Sequence, residues 1–150
     1  MKTTRYKVRL HVMQLEKGDY HTLIDGSVAC HRVRIVLDTG ASHSCMDASF
    51  AKEIFPEIQA TEHEGVTAGI GGDDFQVRVA DIPDFRIGRY KRSIFKDMAL
   101  LDFSYINMAY VRLNKKPVQM ILGNDFFVQH KAVIHYEDGY LYFNADKTKK

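Results

Sequence analysis

A two-residue alternation of apolar and polar side chains recurs along this chain and limits what it can fold into. Tyr6, Val8, Leu10 and Val12 alternate with Arg5, Lys7, Arg9 and His11. Successive side chains of a strand point to opposite faces, so the pattern predicts a strand buried on one side. Val33, Ile35 and Leu37 repeat it against Arg32 and Arg34, as do Phe75, Val77 and Val79 against Gln76 and Arg78. Tyr20 to Ile24 leads into Asp25-Gly26, a turn dipeptide, which predicts a hairpin whose second strand ends at Asp38. Val118 to Leu122 reads as an apolar strand that stops at Gly123. Ala132 to Tyr136 and Tyr140 to Phe143 read as a last hairpin around Asp138-Gly139.

Helical signals are sparse. Asp47 is placed to cap a short helix over Ala48 to Phe55, which Pro56 stops. Asn124 or Asp125 can open a second one running to about His130. Pro83 ends or kinks the strand before it. Arg86 to Arg92 reads as a turn around Gly88, and Ile94 to Leu101 as a further strand. Residues 102–117 suit a helical turn or a strand equally. With no internal repeat, low-complexity block or linker, the expectation is one domain over 1–150, with its core at about 20–143. That domain is all-β with one or two short helices.

Composition removes several classes. Hydrophobic residues are 45% and charged residues 27%, a globular balance rather than a disordered one. A net charge of +2 is too weak to point to a nucleic acid. Met1 to Leu10 is basic without an apolar run, unlike a signal peptide, and no stretch suits a membrane span. A cytoplasmic protein is the expectation. Cys30 and Cys45 are too few for a disulfide framework. The seven histidines show no metal-ligand spacing, so neither metal nor other cofactor is expected.

The segment that carries chemistry is Val36-Leu37-Asp38-Thr39-Gly40-Ala41-Ser42. A strand delivers an aspartate to a tight turn. Asp38 offers a carboxylate that can activate water. The Thr39 hydroxyl can hold the loop, Gly40 allows close backbone approach, and Ala41 leaves room for a ligand. Asp-Thr-Gly alone also serves as a plain turn. Two further segments add weight. Met120-Ile121-Leu122-Gly123 runs an apolar strand into a glycine before a short helix. Ala68-Gly69-Ile70-Gly71-Gly72 is a glycine-rich stretch between strands, suited to closing over an extended ligand.

Taken in order, these three segments resemble the retropepsin-like (retroviral-type) aspartic proteases. The likeness covers about Thr22 to Phe143. It implies the retropepsin-like fold, with Ile121-Leu122-Gly123 beside the Asp38 loop, and a peptide-bond hydrolase without metal or acyl-enzyme. It implies that Asp38 is catalytic and that Thr39 and Gly40 support the loop. Substrate binding would fall to Ala41, Ile121 and the flap tip Gly69, Ile70, Gly71 and Gly72. Family chemistry needs two aspartates at one water, and the chain carries one Asp-Thr-Gly and no Asp-Ser-Gly. A homodimer acting on peptide or protein substrates is therefore expected, with Asp125, the rival internal partner, read as a helix-start residue.

Ser42-His43 and Asn124 depart from viral members, which often carry acidic residues and an arginine there. That departure leaves a catalytically inactive peptide-binding or dimerisation module as the alternative. A Cys45-His43 nucleophile is a weaker rival, since nothing in the sequence orients the pair.

Overall fold

The computed structural model describes residues 2–67 and 76–146. Two sheets account for most of them. The smaller has three antiparallel strands in the order β1 (Thr3–Arg9), β11 (Tyr140–Asp146), β10 (Val133–His135). The larger has eight. It runs β2 (His11–Gln14), β3 (Tyr20–Val28), β4 (His31–Leu37), β9 (Met120–Leu122), β5 (Cys45–Asp47), β8 (Tyr90–Leu101), β7 (Gln76–Ile87), β6 (Thr61–Thr67). A further pairing of β3 with β7, at Ser27↔Arg86 and Val28↔Phe85, folds this sheet back on itself. Helices α1 (Ala48–Ile54), α2 (Ser104–Arg112) and α3 (Asn124–Gln129) lie between strands.

The alternation forecasts the inward faces of β4 and β1, but the first run is not one strand: it breaks at Leu10 into β1 and β2, which lie in different sheets, and Val12 of β2 is exposed. Val33, Ile35 and Leu37 of β4 are buried with Ile24, Met120 and Leu122 in the main core. In β1, Val8 is buried while Arg5, Lys7 and Arg9 are exposed. An aromatic cluster ties the small sheet to α3. The rings of Phe126 and Phe143 stand 5.2 Å apart, as do Tyr90 and Phe143, and Tyr6 stacks on Phe143 at 5.4 Å. Edge-to-face pairs of this kind add to simple area burial, so α3 is anchored well beyond its six residues.

Three further local expectations change. The first hairpin does not turn at Asp25-Gly26. β3 continues to Val28, and the turn falls at Ala29 and Cys30, both at positive φ (46° and 66°). Gly26 serves a different end: a Cβ there would stand 2.7 Å from the Arg86 carbonyl oxygen, so the glycine lets β7 cross β3. Of the two outcomes expected at Pro83, the strand does not end there: β7 runs through it, with an irregularity beside it in the register shift against β8 between Ala80 and Ile82 and the positive φ (52°) of Asp84. Asp47 precedes α1 but makes no side-chain cap. Its carboxylate accepts from the Phe103 N–H at 3.2 Å, joining the start of α1 to the start of α2.

The ambiguous 102–117 stretch contains α2, a third helix. Tyr110 and the preceding Phe103 are buried in a second apolar cluster with Leu23, Cys45 and Val118. Asn107 exchanges two hydrogen bonds with the Val118 backbone (3.0 and 2.8 Å), which docks the helix beside β9. Among the described residues no helix is long and apolar enough to cross a membrane.

Candidate active site

The site forms where β4 and β9 run parallel and end together. Their register pairs Ile35 with Met120, Val36 with Ile121 and Leu37 with Leu122. After Leu37 the chain loops over the end of β9 and returns as β5, which pairs with the other edge of β9 at Cys45↔Ile121 and Met46↔Met120. β9 is thereby held on both edges, and the 38–44 loop must cross the chain at Gly123. That crossing requires a glycine. A Cβ on Gly123 would lie 2.8 Å from the Ala41 oxygen and 2.9 Å from the His43 carbonyl carbon, both backbone atoms that have no room to yield.

Hydrogen bonds stitch the two loops together. The Asp38 N–H donates to the Leu122 oxygen at 3.0 Å and the Ala41 N–H to the Asp38 oxygen at 3.1 Å. The Asn124 N–H donates to the Ala41 oxygen at 2.9 Å, and the Asn124 side-chain amide donates to the Thr39 oxygen at 2.8 Å. Asn124 thus clamps the Asp-Thr-Gly turn within its own chain. The Gly40 N–H donates to Asp38 Oδ1 at 2.9 Å. A Cβ on Gly40 would crowd that same oxygen at 3.2 Å. Asp38, Thr39 and Gly40 are all exposed, so the carboxylate is oriented but open.

Beneath this turn lies a brace that sequence reading missed. Ser44 is 1% exposed. Its N–H donates to both oxygens of Asp125 at 3.0 Å, and its hydroxyl donates to Asp125 Oδ1 at 2.7 Å. The same hydroxyl accepts from the Gly123 N–H at 3.0 Å, and Asp125 Oδ1 also accepts from the Phe126 N–H at 2.9 Å. Asp125 is a helix-start residue as expected, and its carboxylate is committed to Ser44. A small hydroxyl residue entering the apolar Cys45-Met46 strand is the only signal in the sequence that marks it.

Cys45, the next residue, is buried. Burial first, then the negative fields of Asp38 and Asp125, push its thiol up to about 12. A thiol held protonated is no nucleophile at ordinary pH, which counts against a Cys45-His43 pair. Both cysteines are free; Cys30 is exposed and Cys45 is buried.

Of the expected site residues, the structure gathers Asp38, Thr39, Gly40, Ala41 and Ile121 around one crossing of chains. Gly69, Ile70, Gly71 and Gly72 lie outside the described residues; the strands on either side of them, β6 and β7, pair antiparallel up to Thr67↔Gln76. Among the described residues no group of histidine, cysteine, aspartate and glutamate is arranged to hold a metal ion.

The family model described as aspartyl protease matches residues 22–126, which is most of the chain and includes both crossing loops. The chain belongs to the aspartyl protease family. The crystal structure of a retropepsin-like aspartic protease from Rickettsia conorii matches with a TM-score of 0.51 at 15% sequence identity, covering 95% of this chain and 92% of that one. At such identity the likeness speaks to fold, and it supports the retropepsin-like architecture expected from the motifs. No curated protein matches the chain.

Proposed function

We propose that this chain is an aspartic endopeptidase that works as a homodimer, with one Asp38 from each subunit sharing one catalytic water. The observation that carries the reading is the unequal state of the two nearby carboxylates. Asp38 is exposed, with one oxygen held by the Gly40 N–H. Asp125 is bound to Ser44 and to the start of α3. Among the described residues, Asp38 is therefore the one free carboxylate at this point, and the chemistry requires two. A twofold axis beside Asp38 supplies the second without any further residue.

In such a pair, like charges in contact cannot both ionise, and aspartic proteases are known to hold one proton between the two carboxyls. The ionised Asp38 takes a proton from the water as it attacks the scissile carbonyl carbon. The neutral Asp38 donates to the carbonyl oxygen as the centre becomes tetrahedral. Collapse of that centre returns a proton to the leaving amine. Gly40 holds the carboxylate's orientation, and Asn124 keeps the turn rigid, so neither must be organised during reaction. Ala41 and Ile121 border the turn and are suited to contact the peptide, with Gly69 to Gly72 closing over it.

The experiment is digestion of a diverse peptide pool across roughly pH 3.5 to 7.5, a span set by shared-proton carboxylates, read by mass spectrometry beside Asp38→Asn. Cleavage by the wild type alone, from a species that sediments as a dimer, is the expected result. Cleavage that survives Asp38→Asn overturns the reading. Peptide binding without cleavage by a confirmed dimer would transfer it to the binding-module alternative.

A further inference from the structure

On one flank of the site, β2, β3 and β4 meet the segment between α2 and β9 around a concavity of about 680 Å³. Its floor is apolar, with Met13 and Leu23, and both belong to the cluster that also contains Val36 and Ile121. Its rim is cationic: Arg32, Arg34, Lys115 and Lys116 all line it. The acid on that rim, Asp25, is engaged by His11 at 3.1 Å. Among the described residues no carboxylate pairs with any of the four cations.

Arg34 is the best organised of them. Its N–H donates to the Gln119 side chain at 2.7 Å, its carbonyl accepts from the Gln119 N–H at 3.0 Å, and its Nη1 donates to the Lys116 oxygen at 2.7 Å. A guanidinium carries five N–H donors. Here one is used to hold the group in place, and the others remain for a planar anion such as a carboxylate. Arg34 is half-buried, and the bond to the Lys116 oxygen fixes where its guanidinium sits.

Position connects this pocket to the chemistry. Arg34 and Val36 share one face of β4, and Asp38 follows at its end. Four residues of strand place Arg34 roughly 13 Å from Asp38 at about 3.3 Å per residue. An extended peptide crossing the site covers that distance in about four residues.

From this arrangement we infer that the Arg32–Arg34–Lys115–Lys116 pocket is a specificity site for an acidic side chain of the substrate, about four residues from the cleaved bond. The inference rests on the peptidase reading above. The apolar floor takes the methylene stem of glutamate or the residue beside it, and Arg34 takes the carboxylate. Because a twofold axis repeats the pocket, the preference applies to both flanks of the cut.

The test begins with the cut sites from the peptide pool, followed by matched synthetic peptides that differ only by Glu or Gln at the fourth position from the cut. Wild type is expected to favour Glu in kcat/KM by about 10-fold, the scale of one charge-assisted hydrogen bond. In Arg34→Gln, and separately in Lys115→Glu, that ratio falls toward one, and Lys115→Glu shifts preference toward a Lys at the same position. A Glu/Gln ratio of one in the wild type, with cleavage otherwise normal, overturns the pocket and leaves the protease reading intact. A second arm measures anisotropy of the same labelled peptides on Asp38→Asn protein, where no turnover is needed. If no peptide is cut, Glu-dependent binding lost in Arg34→Gln still supports the pocket, and equal binding of the two peptides overturns it.

Discussion

Removing the Ser44 hydroxyl tests the brace beneath the Asp38 turn. Ser44→Ala deletes a donor to the Asp125 carboxylate (2.7 Å) and an acceptor for the buried Gly123 N–H (3.0 Å). A hydrogen bond to a charged group contributes about 1.5–3 kcal/mol, and a buried N–H left without a partner costs about 1–3 kcal/mol. Asp125 keeps its bonds from the Ser44 and Phe126 N–H groups, which limits the first loss. The lower ends of both ranges therefore apply, giving a destabilisation of about 2.5 kcal/mol. Urea denaturation reads it as a lower midpoint with unchanged slope. The cavity left by one oxygen is small, so most of the effect is polar. A double-mutant cycle with Asp125→Ala should return a coupling of at least about 1 kcal/mol. A loss under about 1 kcal/mol in Ser44→Ala, or no coupling in the cycle, would refute the brace as the support of this turn.

Further outcomes follow from the same geometry. Gly123→Ala forces a methyl against two backbone atoms and should cost about 3 kcal/mol or more, seen as a lower midpoint or as loss of soluble protein. Cys30 should react quickly with a thiol reagent at about pH 8 while Cys45 stays silent until denaturant is added, since its thiol is pushed up to about 12; rapid labelling of both in native protein would contradict this. His130 is held below its ordinary value, first by burial and then against the charge of Arg92, with Asn144 and Asp146 opposing. Tyr90, Phe126 and Phe143 pack around its ring, and Gln129 shares Arg92 with it. The unfolded chain then binds the His130 proton more readily, so the stability from neutral His130 is present above the ordinary histidine range and is lost as pH falls through its lowered value. His130→Gln should flatten the acid limb of the stability profile measured by thermal melts; an unchanged limb would rule out this histidine as a source.

Much of the architecture is legible in the chain because strand burial leaves a period-two trace. The faces of β1 and β4, the last hairpin of β10 and β11, the tight turn at Gly88 and the helices opened at Ala48 and Asn124 all follow from neighbours along the sequence. So does the segment that ends in Asp38, because a strand running into Asp-Thr-Gly is a local arrangement. Fold class follows as well, through the order of the three motifs. The turn at Ala29-Cys30 was not legible, since Asp25-Gly26 is the better turn on local propensity and loses to a tertiary demand. Gly26 is required where β7 crosses β3, a contact between residues some sixty positions apart.

The roles of the carboxylates divide in the same way. Sequence alone shows an aspartate in an active-turn motif and another at a helix start, and by type the two are equivalent. Which is free depends on Ser44, 81 residues from Asp125, reaching it through a chain crossing that no local pattern encodes. The glycine at that crossing is demanded by the Ala41 and His43 backbone, and the Arg34 pocket is assembled from strands and a loop some 80 residues apart. Local periodicity determines elements because it reports which face meets water. Charge state, free donors and close approach depend on what lies across the fold, and only the packed chain decides them.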